Sequence, residues 1–217
     1  MDIMNKNGLN KDYISNDLIK NQLIQNHNTC LLERIMKCNE GKKLRTYGKF
    51  KLVIKWEPYL DFINCAYLRK LLSKFRLSSH ELEIERGRYG KSVPPEERIC
   101  KLCEERQVED EFHFLIICKK FDNIRKHLFK EIENLNINFI TLNNFDKFIW
   151  LISQEDKQVV LKVANFLKVA NKERNNELEQ LIIIGSAQPK NIKRKKINKN
   201  NILMDSSSFG VFSLETR

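Results

Sequence analysis

The stretch Cys100-Lys-Leu-Cys103-Glu-Glu-Arg-Gln-Val-Glu-Asp-Glu-Phe-His113-Phe-Leu-Ile-Ile-Cys118 decides how the rest of the chain is read. Its spacing is Cys-x2-Cys, nine residues, then His-x4-Cys. A Cys-x2-Cys turn holds two thiolates on one side of a tight loop, at the separation a tetrahedral zinc ion requires, and a second pair from the next segment closes the site. Cys100, Cys103, His113 and Cys118 are therefore candidate ligands for one Zn2+. Four protein ligands leave no open coordination position, so the ion reads as structural and the chain as no enzyme. The competing reading is a set of buried free thiols beside a core histidine.

The second pair sets a condition on the backbone. In a regular α-helix, residues five apart sit about 140° apart around the axis and about 7.5 Å apart along it. His113 and Cys118 reach one ion only if His113 lies at or before a helix start, or if the backbone departs from helix between them. A continuous helix through 112–119 would send the fourth ligand elsewhere, with Cys65 and His80 as candidates. Cys30, Cys38 and Cys65 lack metal spacing, lie in apolar helical patterns and read as core.

Around this loop the composition favours helix. Only 7 Gly and 4 Pro occur in 217 residues, and 41% of the residues are hydrophobic, enough for a globular core. The expected fold is mainly α: a small helical domain with a zinc-knuckle-like Cys3His loop, and at most one short β-hairpin or strand pair near the metal. Apolar periodicity predicts helices over Asp17–Cys38, Tyr59–Phe75, Glu111–Asn134, Phe145–Ile152 and Val159–Ile184, with a further apolar pattern from Leu44 to Trp56. Glu81–Arg88 fits either a short strand or a helical turn. The organisation read from this is an N-terminal extension with one helix (1–40), the zinc-binding domain (41–153), a C-terminal helix (154–185) and a disordered basic tail (186–217).

The formal net charge is +11, which attracts polyanions and makes nucleic acid the expected partner. Between Gly41 and His80 ten basic residues face only Glu57 and Asp61. Arg45, Arg69, Lys70, Lys74 and Arg76, with Arg88 beyond them, are the candidate nucleic-acid contacts; the interleaved aromatics sit at helical spacing and read mostly as core. From Glu96 to Phe112 seven acids outnumber three bases, so the metal loop itself is expected to repel phosphate and to staple the fold. Lys190, Lys193–Lys196 and Lys199 make the tail resemble a polyanion-binding or nuclear-import segment.

No apolar run approaches the roughly 20 residues of a membrane span, and the first ten residues lack the apolar core of a secretory signal. The six cysteines then belong to a reducing compartment, and an intracellular location, nuclear or cytoplasmic, is expected. Phosphate-cradling, dinucleotide-binding and serine- or zinc-hydrolase motifs are missing, so no small-molecule substrate is expected.

Lys74-Phe-Arg-Leu-Ser-Ser-His-Glu-Leu-Glu-Ile-Glu-Arg-Gly-Arg-Tyr89, Glu97-Arg-Ile-Cys-Lys-Leu-Cys103 and Val108-Glu-Asp-Glu-Phe-His-Phe-Leu-Ile-Ile-Cys118 together resemble the reverse transcriptase zinc-binding domain. That domain is the tail that follows the polymerase in LINE-type, non-LTR retrotransposons. Leu44–Tyr47 and Glu57–Leu60 are similar to the stretch preceding it, and the likeness covers about residues 42–150. It implies a helical tail that coordinates zinc through Cys100, Cys103, His113 and Cys118 and helps engage nucleic acid. No F/Y-x-D-D polymerase motif or endonuclease-like segment is present, so the resemblance implies a detached piece of an element without polymerase activity. Two other readings stand beside it: a zinc-stapled protein–protein interaction module, and a decayed retrotransposon fragment without function.

Overall fold

The computed structural model describes residues 16–37, 43–89 and 92–186, and among them the backbone is mainly helical. Its α-helices are α1 (Asn16–Met36), α2 (Tyr59–Phe62), α3 (Ala66–Arg76), α4 (Glu83–Arg86), α5 (Asp122–Glu133), α6 (Asn144–Ser153) and α7 (Lys157–Ser186). Short 3-10 turns cover Tyr47–Lys49, Pro95–Glu97, Lys119–Phe121 and Ile137–Thr141. The expected strand pair is reduced, among the described residues, to one antiparallel bridge between Ile99 and Val108. The basic tail and the leader before Asn16 lie outside the described residues.

α7 organises the fold. Asp156 starts it by accepting the N–H groups of Gln158 and Val159 at 2.9 and 3.0 Å, which satisfies donors that a helix start leaves orphaned. Thirty residues then run about 45 Å. Val160, Val163, Ala164, Leu167, Ala170 and Arg174 form its buried stripe, the spacing of one helix face. α3 and α5 make the main packing against α7, and α6 and α2 also contact it. Asn143 caps α6 by accepting the Asp146 N–H at 2.9 Å.

Phe114, fully buried, is the aromatic hub. Its ring meets Phe121 edge-on at 4.8 Å, and Phe75 and Phe166 at 6.1 and 6.2 Å. α1 docks through Ile35 onto the Tyr47–Lys49 turn. Gly48 permits that approach, because a Cβ there would lie 2.8 Å from the Ile35 carbonyl oxygen.

Three expected elements differ. The pattern from Leu44 to Trp56 makes no α-helix: Leu44 takes φ 66°, its N–H goes to the Leu77 carbonyl at 3.0 Å, and the Thr46 N–H goes to Ser78 Oγ at 3.1 Å. The segment is thereby pinned to the end of α3. The Tyr59–Phe75 helix is two helices, split where Ile63 and Cys65 become extended; Arg69 takes up the freed carbonyls of Ile63 and Asn64. The Glu111–Asn134 helix is broken before α5. Cys30 and Cys65 are exposed and not core; Cys38 lies outside the described residues. The Glu81–Arg88 ambiguity resolves to the helical turn α4.

Phe114→Ala leaves a cavity at the hub, and a loss of about 3–5 kcal/mol is expected, read from the shift in denaturant midpoint at unchanged slope.

Candidate metal centre

The Ile99–Val108 bridge builds the first half of the site. Around it the Cys100 N–H donates to the Gln107 carbonyl and the Glu109 N–H to the Arg98 carbonyl, both at 2.9 Å, while Arg106 at φ 51° reverses the chain. Cys100 and Cys103 leave this knuckle on the same side, and the Leu102 N–H points at Cys100 Sγ from 3.5 Å.

The second half depends on how His113 and Cys118 meet. Asp110 Oδ1 accepts the His113 N–H at 2.7 Å, and a helical turn begins at Glu111. From His113 to Ile117 the backbone opens into a π turn, closed by the Cys118 N–H on the His113 carbonyl at 2.7 Å. An i→i+5 bond brings residue 118 back beside residue 113, which regular helix does not. Cys118 then leaves helical geometry at φ −55°, ψ 117°. Buried Arg125 donates to the Leu115 and Cys118 carbonyls at 2.9 and 2.6 Å, so the wide turn strands no acceptor there.

The result is a cluster in which one ligand atom each of Cys100, Cys103, His113 and Cys118 lies within 4.8 Å of all the others. Cys100 Sγ and Cys118 Sγ are 3.9 Å apart, and Cys103 Sγ is 3.4 Å from His113 Nε2. Gln107 Oε1 sits 3.4 Å from His113 Nδ1, on the ring nitrogen that faces away from the sulfurs. Such a cluster can hold a metal ion. The alternative fourth ligands are elsewhere: Cys65 is the exposed residue before α3, and His80 bonds Glu111.

The sulfurs crowd one another electrostatically. A hydrogen bond from Cys118, helped by His113, holds the Cys100 thiol well below its ordinary range. The same bond and burial push Cys118 up, and burial, with the Cys100 thiolate nearby, pushes Cys103 up. One thiolate is tolerated and a second is resisted, the imbalance that a bound cation removes.

The acids counted over Glu96–Phe112 divide: Glu96, Glu97 and Glu104 are exposed, and two others turn inward. Glu109 and Glu111 are buried, as are Glu83 and Glu85 of α4. Arg174, 2% exposed, reaches from α7 to grip Glu109 through two bonds of 2.8 and 2.7 Å. Glu109 also accepts the Glu83 N–H at 2.8 Å. Arg45 pairs with Glu85 and binds both oxygens of Glu111 at 3.2 and 2.8 Å. Burial raises the Glu111 carboxyl, but His80 at 2.7 Å and Arg45 outweigh it and bring it to about 2. Glu104 and Arg106 remain outside, and Glu105 pairs with Lys119.

The basic candidates separate accordingly. Arg45 and Arg76 are buried and committed to carboxylates, out of reach of a phosphate: Arg76 donates to Glu57 at 3.2 Å and to the Gln154 carbonyl at 2.8 Å and lies 4.9 Å over the Tyr59 ring. Arg69 binds backbone carbonyls, and Arg88 lies 3.4 Å from Glu85. Lys70 is exposed, and Lys74 is 3.9 Å from exposed Glu81. Among the described residues, no helix is long and apolar enough to cross a membrane. Sequence reading missed Arg125 and Arg174. Arg174 carried a usable signal, since it extends the stripe Val163, Leu167, Ala170 in the register of an apolar residue.

Arg174→Met leaves Glu109 buried and unpaired, and a loss of about 3–5 kcal/mol is expected. The double variant with Glu109→Leu should recover much of it, a coupling that denaturant titration of the full cycle measures.

A scan against protein-family models, a search of curated proteins and a search of solved structures each return no match for this chain.

Proposed function

We propose that the chain is a non-catalytic, zinc-binding, nucleic-acid-binding module, of the kind that forms the C-terminal tail of LINE-type retrotransposon reverse transcriptase proteins. The observation that carries the zinc assignment is the spacing of the donors. A tetrahedral zinc with arms of about 2.3 Å to sulfur and 2.05 Å to nitrogen has edges of about 3.8 Å between sulfurs and about 3.6 Å between sulfur and nitrogen; the Cys100–Cys118 and Cys103–His113 edges are 3.9 and 3.4 Å, and all six lie within 4.8 Å. Three thiolates and an imidazole suit zinc and exclude hard cations such as magnesium. Four protein ligands fill the ion's coordination, so it supplies stability and no reaction.

The family reading rests on the resemblance of the runs at 74–89, 97–103 and 108–118, whose His80, Glu83, Glu85, Glu109 and Glu111 form the ionic frame behind the metal loop. Three reduced thiolates favour an intracellular, reducing setting, nuclear or cytoplasmic. A second reading, a zinc-stapled protein interaction module, draws on the exposed Leu181, Ile182 and Ile184 near the end of α7.

Purified protein is expected to contain one zinc per chain, and none after Cys100→Ser with Cys103→Ser. Because structural zinc binding is folding free energy, chelation should lower the melting temperature of the wild-type protein. An unchanged melt with chelator present rejects the metal.

Fluorescence anisotropy with labelled single-stranded RNA and DNA tests the partner. Binding should weaken steeply as salt rises, because counterions are released from phosphates. No binding near about 10 µM at low salt, or a flat salt response, rejects the nucleic-acid reading.

A further inference from the structure

Between α3 and α7 lies a groove of about 240 Å³. On α3 its wall is Tyr67, Lys70 and Lys74, at i, i+3 and i+7 of one helix face. On α7 it is Asn171 and Asn175, one turn apart. Tyr67 is 54% exposed, unlike Phe75 of the same helix, which the core absorbs. Glu81 is the carboxylate in the wall, 3.9 Å from Lys74.

We propose that this groove seats one strand of a nucleic acid, with Lys70 and Lys74 on phosphates, Tyr67 stacked on a base, and the Asn175 amide and Asn171 Oδ1 on base edges. It rests on the nucleic-acid reading above and adds strand type and contact residues. Cations give sequence-independent grip, and an exposed aromatic beside them is the platform that a splayed base stacks on. A paired base in a duplex does not present its face to Tyr67. The Asn175 amide offers donor and acceptor, and Asn171, whose Nδ2 donates to the Leu167 carbonyl at 2.8 Å, offers its oxygen, in a place where an acidic peptide would need only cations.

The test is anisotropy with labelled U12, dT12 and a 12-base-pair duplex across a salt series, using full-length protein. The expected result is preference for the single strands. Tyr67→Ala should weaken that binding about tenfold. Lys70→Ala with Lys74→Ala should lower the salt slope by about 1.4, about 0.7 for each single-strand phosphate. Glu81→Gln, which removes a repelling charge from an exposed position, should tighten binding about two- to fivefold. Lys126→Ala with Lys130→Ala, exposed on α5, is the control and should bind as wild type. Wild-type binding that survives both the tyrosine and the double-lysine changes overturns the groove and leaves the nucleic-acid reading standing. Equal or tighter binding of the duplex overturns the strand assignment. Displacement of U12 by polyglutamate at matched charge points to an acidic protein instead and overturns the proposal. If the wild type binds none of the three probes, the nucleic-acid reading itself falls.

Discussion

The wide turn from His113 to Cys118 persists because its surroundings absorb what an α-helix would have satisfied internally. Asp110 takes the His113 N–H, and Arg125 takes the carbonyls of Leu115 and Cys118. Without those partners, buried backbone groups would be left unpaired at a cost of about 1–3 kcal/mol each. The same turn buries Phe114 and Leu115 completely and hands the chain to Phe121. Ligand geometry and hydrophobic core are thus one construction: the residues between the ligands are the centre of the aromatic cluster.

Behind the turn lies a second shell of charge that contributes position more than stability. A buried ion pair loses hydration on both partners, and its attraction offsets that loss only when geometry and further hydrogen bonds are good. Here Glu109 meets Arg174 through two bonds and also holds the Glu83 backbone, while Glu111 meets both Arg45 and His80. These pairs join the metal loop to α7, to α4 and to the segment at Leu44–Thr46. Segments distant in sequence converge on two carboxylates that flank Asp110, the residue capping the turn that carries His113.

Much of this was legible in the chain. Apolar periodicity marked α1, α3, α6 and α7, and the Cys-x2-Cys and His-x4-Cys pairs named the four clustered residues. The five-residue step from His113 to Cys118 set the condition that His113 lie at a helix start or that the backbone leave helix before Cys118. What stayed hidden was the direction of charged side chains. A count of acids over Glu96–Phe112 says nothing of which carboxylates turn inward, because their partners Arg174 and Arg45 lie some sixty residues away. The break at Ile63–Cys65 was hidden for a similar reason: apolar spacing is nearly continuous across it, and the carbonyls it frees are met by Arg69.

The His-x4-Cys step also fixes a phase. Regular helix serves a His-x3-Cys pair, whose members share a face, and this chain carries one residue more. A residue is worth about 100° of rotation in a helix, and the π turn takes up that rotation before the chain reaches Lys119–Phe121. The extra residue is thus absorbed within the turn, which brings both side chains to one place before the chain leaves helical geometry at Cys118. Removing one residue between His113 and Cys118 would leave a spacing that regular helix serves, and the wide turn, with the Arg125 contacts that sustain it, would lose its purpose.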